Sequence, residues 1–61
     1  MDFIKVIASE FNIKEIQAKN TIELIDDGNT IPFIARYRKE MTGSLDDQII
    51  RQIFERLTYL R

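Results

Sequence analysis

Residues 28–32, Gly-Asn-Thr-Ile-Pro, force a break in a sequence that otherwise reads as helix on both sides. Gly28 can adopt the left-handed backbone that ends a helix at its C′ position. Thr30 can cap the next helix through its side-chain oxygen. Pro32 then falls in that helix's first turn, where a missing N–H costs nothing. Only Asn29 separates the stop from the cap, so the flanking helices are expected to cross steeply, in a helix-turn-helix-like pair. The stretch from Gly28 to Gly43 also holds both glycines, the only proline and three of the nine basic residues, Arg36, Arg38 and Lys39, within four positions.

Upstream, residues 2–11 read as a first helix. Phe3, Ile4, Ile7, Ala8 and Phe11 recur at helical spacing, with Lys5, Ser9 and Glu10 opposite. Asp2 places an anion at the helix start, where it complements the dipole. Asn12 followed three residues later by Glu15 resembles a capping box, with Phe11 and Ile16 placed for a hydrophobic staple. A second helix is therefore expected to start near Ile13, carrying Ala18, Ile22 and Ile25 on one face. Glu15 and Lys19 form an i,i+4 pair in the favourable order. Asp26 and Asp27 end this helix against the sense of its dipole, which hints at a cationic neighbour or at simple solvation.

The third helix has an apolar side of Phe33, Ile34 and Tyr37 and a cationic end of Arg36, Arg38 and Lys39, the sign a helix C-terminus favours. Ser44 with Asp47 at the third position then suggests the cap of a long last helix over 45–61. Leu45, Ile49, Ile50, Ile53, Phe54, Leu57 and Leu60 give it a broad apolar stripe, and Asp47 stands four residues before Arg51. No stop signal follows, so this helix is expected to run on within a larger protein. The spacing predicts an all-α domain over residues 1–61: four helices, a helix-turn-helix-like pair among them and the longest packed across the rest.

Sixty-one residues make at most one thin-cored domain. Without cysteine there is no disulfide and no thiolate metal site. Without histidine the commonest general base and zinc ligand are missing. The acidic pairs Asp26/Asp27 and Asp46/Asp47 diverge around a helix instead of converging on one ion, and no glycine-rich phosphate loop is present. Neither catalysis, a metal nor a cofactor is expected. The net charge of −1 lacks the overall basic balance of a strong nucleic-acid binder, although a local basic patch remains open. No apolar run approaches the ~20 residues of a membrane span, and residues 1–5 lack a signal peptide's features, so a cytoplasmic location is expected.

Two surfaces are candidates. Arg36, Arg38 and Lys39 can contact phosphate, with Tyr37 placed to stack on a base. Helical spacing puts Arg36 and Lys39 on one face and turns Arg38 away. The same cations can instead neutralise Asp26 and Asp27, complement their own helix dipole, or pair with acids of a neighbouring domain. The second candidate is Ile50, Ile53, Leu57 and Leu60, whose 3-4-3 spacing suits either the cover of the other helices or a docking and self-association surface.

The run from Asp27 to Glu40, followed by Thr42-Gly43, Leu45-Asp46-Asp47 and Glu55 to Arg61, resembles the N-terminal region of the Tex family of bacterial transcription accessory proteins. Ile22-Glu23-Leu24-Ile25 and the first helix fit the same pattern more loosely. The resemblance covers essentially the whole chain. It implies a large, mostly helical cytoplasmic protein that binds nucleic acid and carries further domains, including a C-terminal S1 domain credited with RNA binding. This region would be its non-catalytic N-terminal module, with the remaining domains of the parent chain and RNA or DNA as partners. Ser44 departs from the family, which often has a second glycine there, and the swap is expected to strengthen the last helix's cap.

Overall fold

The computed structural model describes residues 2–61. They form five helices and no strand: α1 (Phe3–Phe11), α2 (Glu15–Asp26), α3 (Ile31–Tyr37), α4 (Lys39–Thr42) and α5 (Asp47–Leu60). The all-α class stands as expected, with one more helix than the spacing predicts. None of them is long and apolar enough to cross a membrane.

Local signals set most of the ends. The Lys5 N–H donates to Asp2 Oδ1 at 3.2 Å, so Asp2 caps α1 by a hydrogen bond as well as by charge. Gly28 has φ +89, and the Gly28 and Asn29 N–H groups donate to the carbonyls of Ile25 and Leu24. This is the left-handed stop expected for α2. The Asn29 side chain adds a second donor to the Leu24 carbonyl. Thr30 Oγ1 accepts from the Phe33 N–H at 3.4 Å, with Pro32 in the first turn of α3.

Three boundaries differ from the sequence reading. Asn12 does not start α2. It takes the left-handed conformation, φ 54, and closes α1, while the Ile13 N–H reaches back to the Ala8 carbonyl. The residue before α2 is Lys14, whose N–H donates to Gln17 Oε1. Ile13 folds against the core, whereas Ile16 is 55% exposed, so no Phe11–Ile16 staple forms. At the other end, Ser44 has φ +67 and lies outside any helix. Asp46 caps α5 by accepting from the Ile49 N–H at 2.9 Å. The serine therefore strengthens no cap; it holds a side-chain-bearing residue where glycine is favoured.

The third difference is α4. Arg38, at φ −125 and ψ 33, interrupts the helix expected to run through Lys39. The chain re-forms one turn, held from outside: Gln17 Nε2 donates to the Thr42 carbonyl at 3.0 Å and Asn20 Nδ2 to the Met41 carbonyl at 2.8 Å. Two amides of α2 thus satisfy carbonyls that a helix end leaves unpaired.

The core has two lobes bridged by α5. Ile53 and Leu57 pack with Ile7 and Ala8 of α1 and with Ala18 and Ile22 of α2. Ile50 packs with Leu24 and Ile34. Ile25 and Leu45 touch both lobes. Ile50 and Ile53 are fully buried, Leu57 is 2% exposed, and Leu60 packs partly buried on the first lobe. This corrects the docking reading of Ile50, Ile53, Leu57 and Leu60. Helices α1–α3 supply enough apolar surface to cover the stripe, so it is interior and offers no self-association face. Phe54, counted in the same stripe, instead points outward at 42% exposure.

The ends of α5 are tied by charge. Arg56 binds Glu10 through Nε and Nη2 at 2.7 and 2.9 Å. Arg61 binds Asp26 through both terminal nitrogens at 2.8 and 2.9 Å, and its guanidinium lies 5.8 Å from the Phe3 ring centre. The expected pairs Glu15–Lys19 and Asp47–Arg51 do not close among the described residues; Lys19 approaches Glu23 at 3.9 Å instead.

Candidate nucleic-acid interface

The basic residues lie where α3 passes into α4. Arg36 and Tyr37 occupy the last turn of α3, Arg38 is the pivot, and Lys39 begins α4. All four are exposed, Tyr37 by 58%. Ile34 is the buried anchor of α3, and α4 is held by Gln17 and Asn20, so both sides of the pivot are fixed to the body of the domain.

The pivot separates the cations into two environments. Arg36 and Lys39 line an open groove of about 440 Å³ with Pro32, Ala35 and Leu45, and its far wall is Asp46 and Asp47. No ion pair of 4 Å or less joins those cations to those carboxylates among the described residues. Arg38 belongs to the other side. Its guanidinium lies 5.2 Å from the Phe33 ring centre, and Nη1 donates to the Tyr37 carbonyl at 3.3 Å. The Phe33 and Tyr37 rings are 5.2 Å apart and inclined at 43°. Aromatic pairs at this separation, with a cation near one ring, attract through the ring quadrupoles.

The cationic neighbour hinted at by the acids ending α2 exists, but it is Arg61. Hydrogen bonds from Arg61 hold the Asp26 carboxyl below the usual aspartate range, against a smaller opposing effect of desolvation. Hydrogen bonds from Arg56 do the same for Glu10. Arg36, Arg38 and Lys39 therefore do not serve as counterions to Asp26 within the domain, and none of the three is in a salt bridge among the described residues. Chemically, this edge can offer two guanidinium groups and an ammonium to an anion beside a phenol ring open to solvent.

Sequence reasoning missed two participants. Phe33 reads in the sequence as part of an apolar side, yet its i,i+4 relation to Tyr37 signals ring contact on a helix. Asp46 and Asp47, which the sequence offers only as a candidate metal pair, are neighbours of the cations in the fold. Residues 43–45 turn the chain so that these acids face α3, and no local spacing reveals that.

The model for the Tex-like protein N-terminal domain matches residues 1–61. The chain belongs to this family. It is similar to the transcriptional accessory protein Tex of Neisseria gonorrhoeae, 52% identical over 61 residues, all of this chain and 8% of that protein. Protein YhgF of Escherichia coli is 51% identical over 59 residues, 97% of this chain and 8% of its own length. A human relative, S1 RNA-binding domain-containing protein 1, is 42% identical over 60 residues, 98% of this chain and 6% of that protein. The chain thus spans only 6–8% of the length of these relatives. No solved structure matches the chain.

Proposed function

We propose that this domain is a non-catalytic, cytoplasmic module of a Tex-like transcription accessory protein, and that it supports nucleic-acid binding by placing Arg36, Arg38 and Lys39 against the phosphate backbone. The observation that carries this reading is that the three cations are exposed and outside any salt bridge among the described residues, while Arg61 satisfies Asp26, one of the two anions expected to neutralise them. The relatives' names point the same way: one is a transcriptional accessory protein and another is named for an S1 RNA-binding domain. The helix-turn-helix reading of α2 and α3 enters as scaffold only. Among the exposed side chains of α3, only Arg36 and Tyr37 offer polar atoms, too few to read base edges as a recognition helix does.

Fluorescence anisotropy against labelled RNA over a range of salt tests this. Phosphate contact gives a log K that falls linearly with log[salt], by about 0.7 per contact on a single strand. The Arg36→Ala/Arg38→Ala/Lys39→Ala variant flattens that slope. Affinity and slope unchanged in a still-helical triple variant would contradict the assignment.

A second reading has its own support. The groove between α3 and the start of α5 has an apolar floor and charges of both signs, which suits a protein segment better than a polyanion. In that reading the domain docks on another part of its parent chain, and salt affects binding weakly.

A further inference from the structure

We propose that a second copy of this chain docks on the exposed edge between α2 and α4, as a twofold dimer centred on Ile16 and Met41. Ile16 is 55% exposed and Met41 40%, and both line one hollow of about 340 Å³. The other exposed large apolar residues, Tyr37, Phe54 and Tyr59, do not line it. The interior stripe of α5 takes no part.

The hollow is built before any partner arrives. Gln17 Nε2 donates to the Thr42 carbonyl at 3.0 Å and Asn20 Nδ2 to the Met41 carbonyl at 2.8 Å, so α4 and its Met41 are held against α2. Gly43 approaches the Gln17 side chain too closely to leave room for a Cβ. The Gln17 oxygen accepts in turn from the Lys14 N–H. The floor amides are already bonded, and an apolar side chain laid over them strands few polar groups.

The order of charges selects a second copy. Gln17 meets Thr42 and Asn20 meets Met41, so α4 runs antiparallel to α2 here, with Lys14 towards one end of the hollow and Glu40 towards the other. Both are exposed, and neither is in a salt bridge among the described residues. A twofold contact requires a face that complements itself. Half a turn about the centre of this one brings Lys14 of each copy against Glu40 of the other, with Ile16 and Met41 between the two ion pairs. A nucleic acid finds no such match, because Glu40 repels phosphate. The hollow shares no lining residue with the groove of Arg36 and Lys39, so the proposal stands apart from the nucleic-acid reading.

Sedimentation velocity of the 61-residue chain tests this between about 20 μM and about 1 mM, the range suited to a small interface. The expected result is a monomer at the low end and a dimer at the high end. Ile16→Asp and Met41→Ser, both at exposed positions, stay helical by circular dichroism and monomeric throughout. Lys14→Glu and Glu40→Lys each weaken the dimer about tenfold or more when alone. Mixed in equal amounts they associate with each other, because every end then meets an opposite charge. A wild type that is monomeric at the highest concentration overturns the proposal. So does a dimer that Ile16→Asp leaves intact, or a pair of charge-reversed variants that associate no better mixed than apart.

Discussion

Arg61 grips Asp26 through two parallel hydrogen bonds of 2.8 and 2.9 Å, joining the last residue of the chain to the end of α2. Arg56 makes the same fork on Glu10 of α1. The two pairs fasten the C-terminal half of α5 to both helices beneath it, and the first engages Asp26, one of the two carboxylates expected to neutralise the α3–α4 cations. Both carboxyls are held below their ordinary values, chiefly by the arginine hydrogen bonds. A depressed folded-state value means stability that is present in full above the unfolded-state range, about pH 4–5, and lost as pH falls through the folded-state values. The Asp26→Asn/Glu10→Gln variant should therefore melt below the wild type at neutral pH and converge with it in acid, once the pH has fallen through the lowered folded-state values. Thermal melts by circular dichroism across that range check the convergence; a gap that persists in acid would mean the pairs are not its source.

Ser44 is the position where this chain diverges from what its backbone asks for. At φ +67 its Cβ is strained, and its hydroxyl caps nothing, because Asp46 does that work. Replacing it with glycine relieves the left-handed strain and adds some unfolded-state entropy, for a net gain of about 0.5–1 kcal/mol. The expected result is a melting temperature a few degrees higher for Ser44→Gly.

Gly43 next to it should behave in the opposite way. It has φ +69, and an added Cβ would run into the Gln17 amide. That amide is fixed at both ends, its oxygen accepting from the Lys14 N–H and its nitrogen donating to the Thr42 carbonyl. Gly43→Ala should cost about 2 kcal/mol or more and loosen α4, measurable as faster amide exchange over 39–42.

Leu57 distinguishes an interior stripe from a docking one. A dimer surface mutated to a charge leaves a folded monomer, whereas a core position does not. Leu57 is 2% exposed between α1 and α2, so Leu57→Ala should cost about 2–5 kcal/mol and Leu57→Asp should abolish the helical signal altogether. A helical, monomeric Leu57→Asp chain would refute the core assignment.

What was legible in the sequence was what is local. Asp2, Gly28, Thr30 and Pro32 each act within one turn, so residue type and spacing were enough to place them. Asn12 was ambiguous because asparagine serves both as an N-cap and as a left-handed helix stop. Ser44 and Asp46 compete as caps, and the choice depends on the double left-handed turn at Gly43-Ser44. α4 was hidden because the amides that hold it come from Gln17 and Asn20, more than twenty positions away. For the candidate site, Arg36 and Lys39 do share a groove that Arg38 does not line, but through the break at Arg38 and not through the continuous helix that the spacing assumes. The acids that share the groove with the first two were brought there by tertiary packing. The stripe on α5 was visible as apolar, but whether it is covered depends on the area of the other helices, which periodicity does not report.

The most direct test of the account is a two-dimensional amide NMR titration of the isotope-labelled chain with a short oligouridylate at low salt. The account predicts shift changes concentrated over residues 33–39, reversed by added salt, with the α1 amides and the exposed face of α5 around Phe54 and Tyr59 unmoved. Changes centred on α5, or a spectrum that ignores the RNA while responding to another domain of the parent protein, would contradict it and make the α3–α4 edge a docking surface.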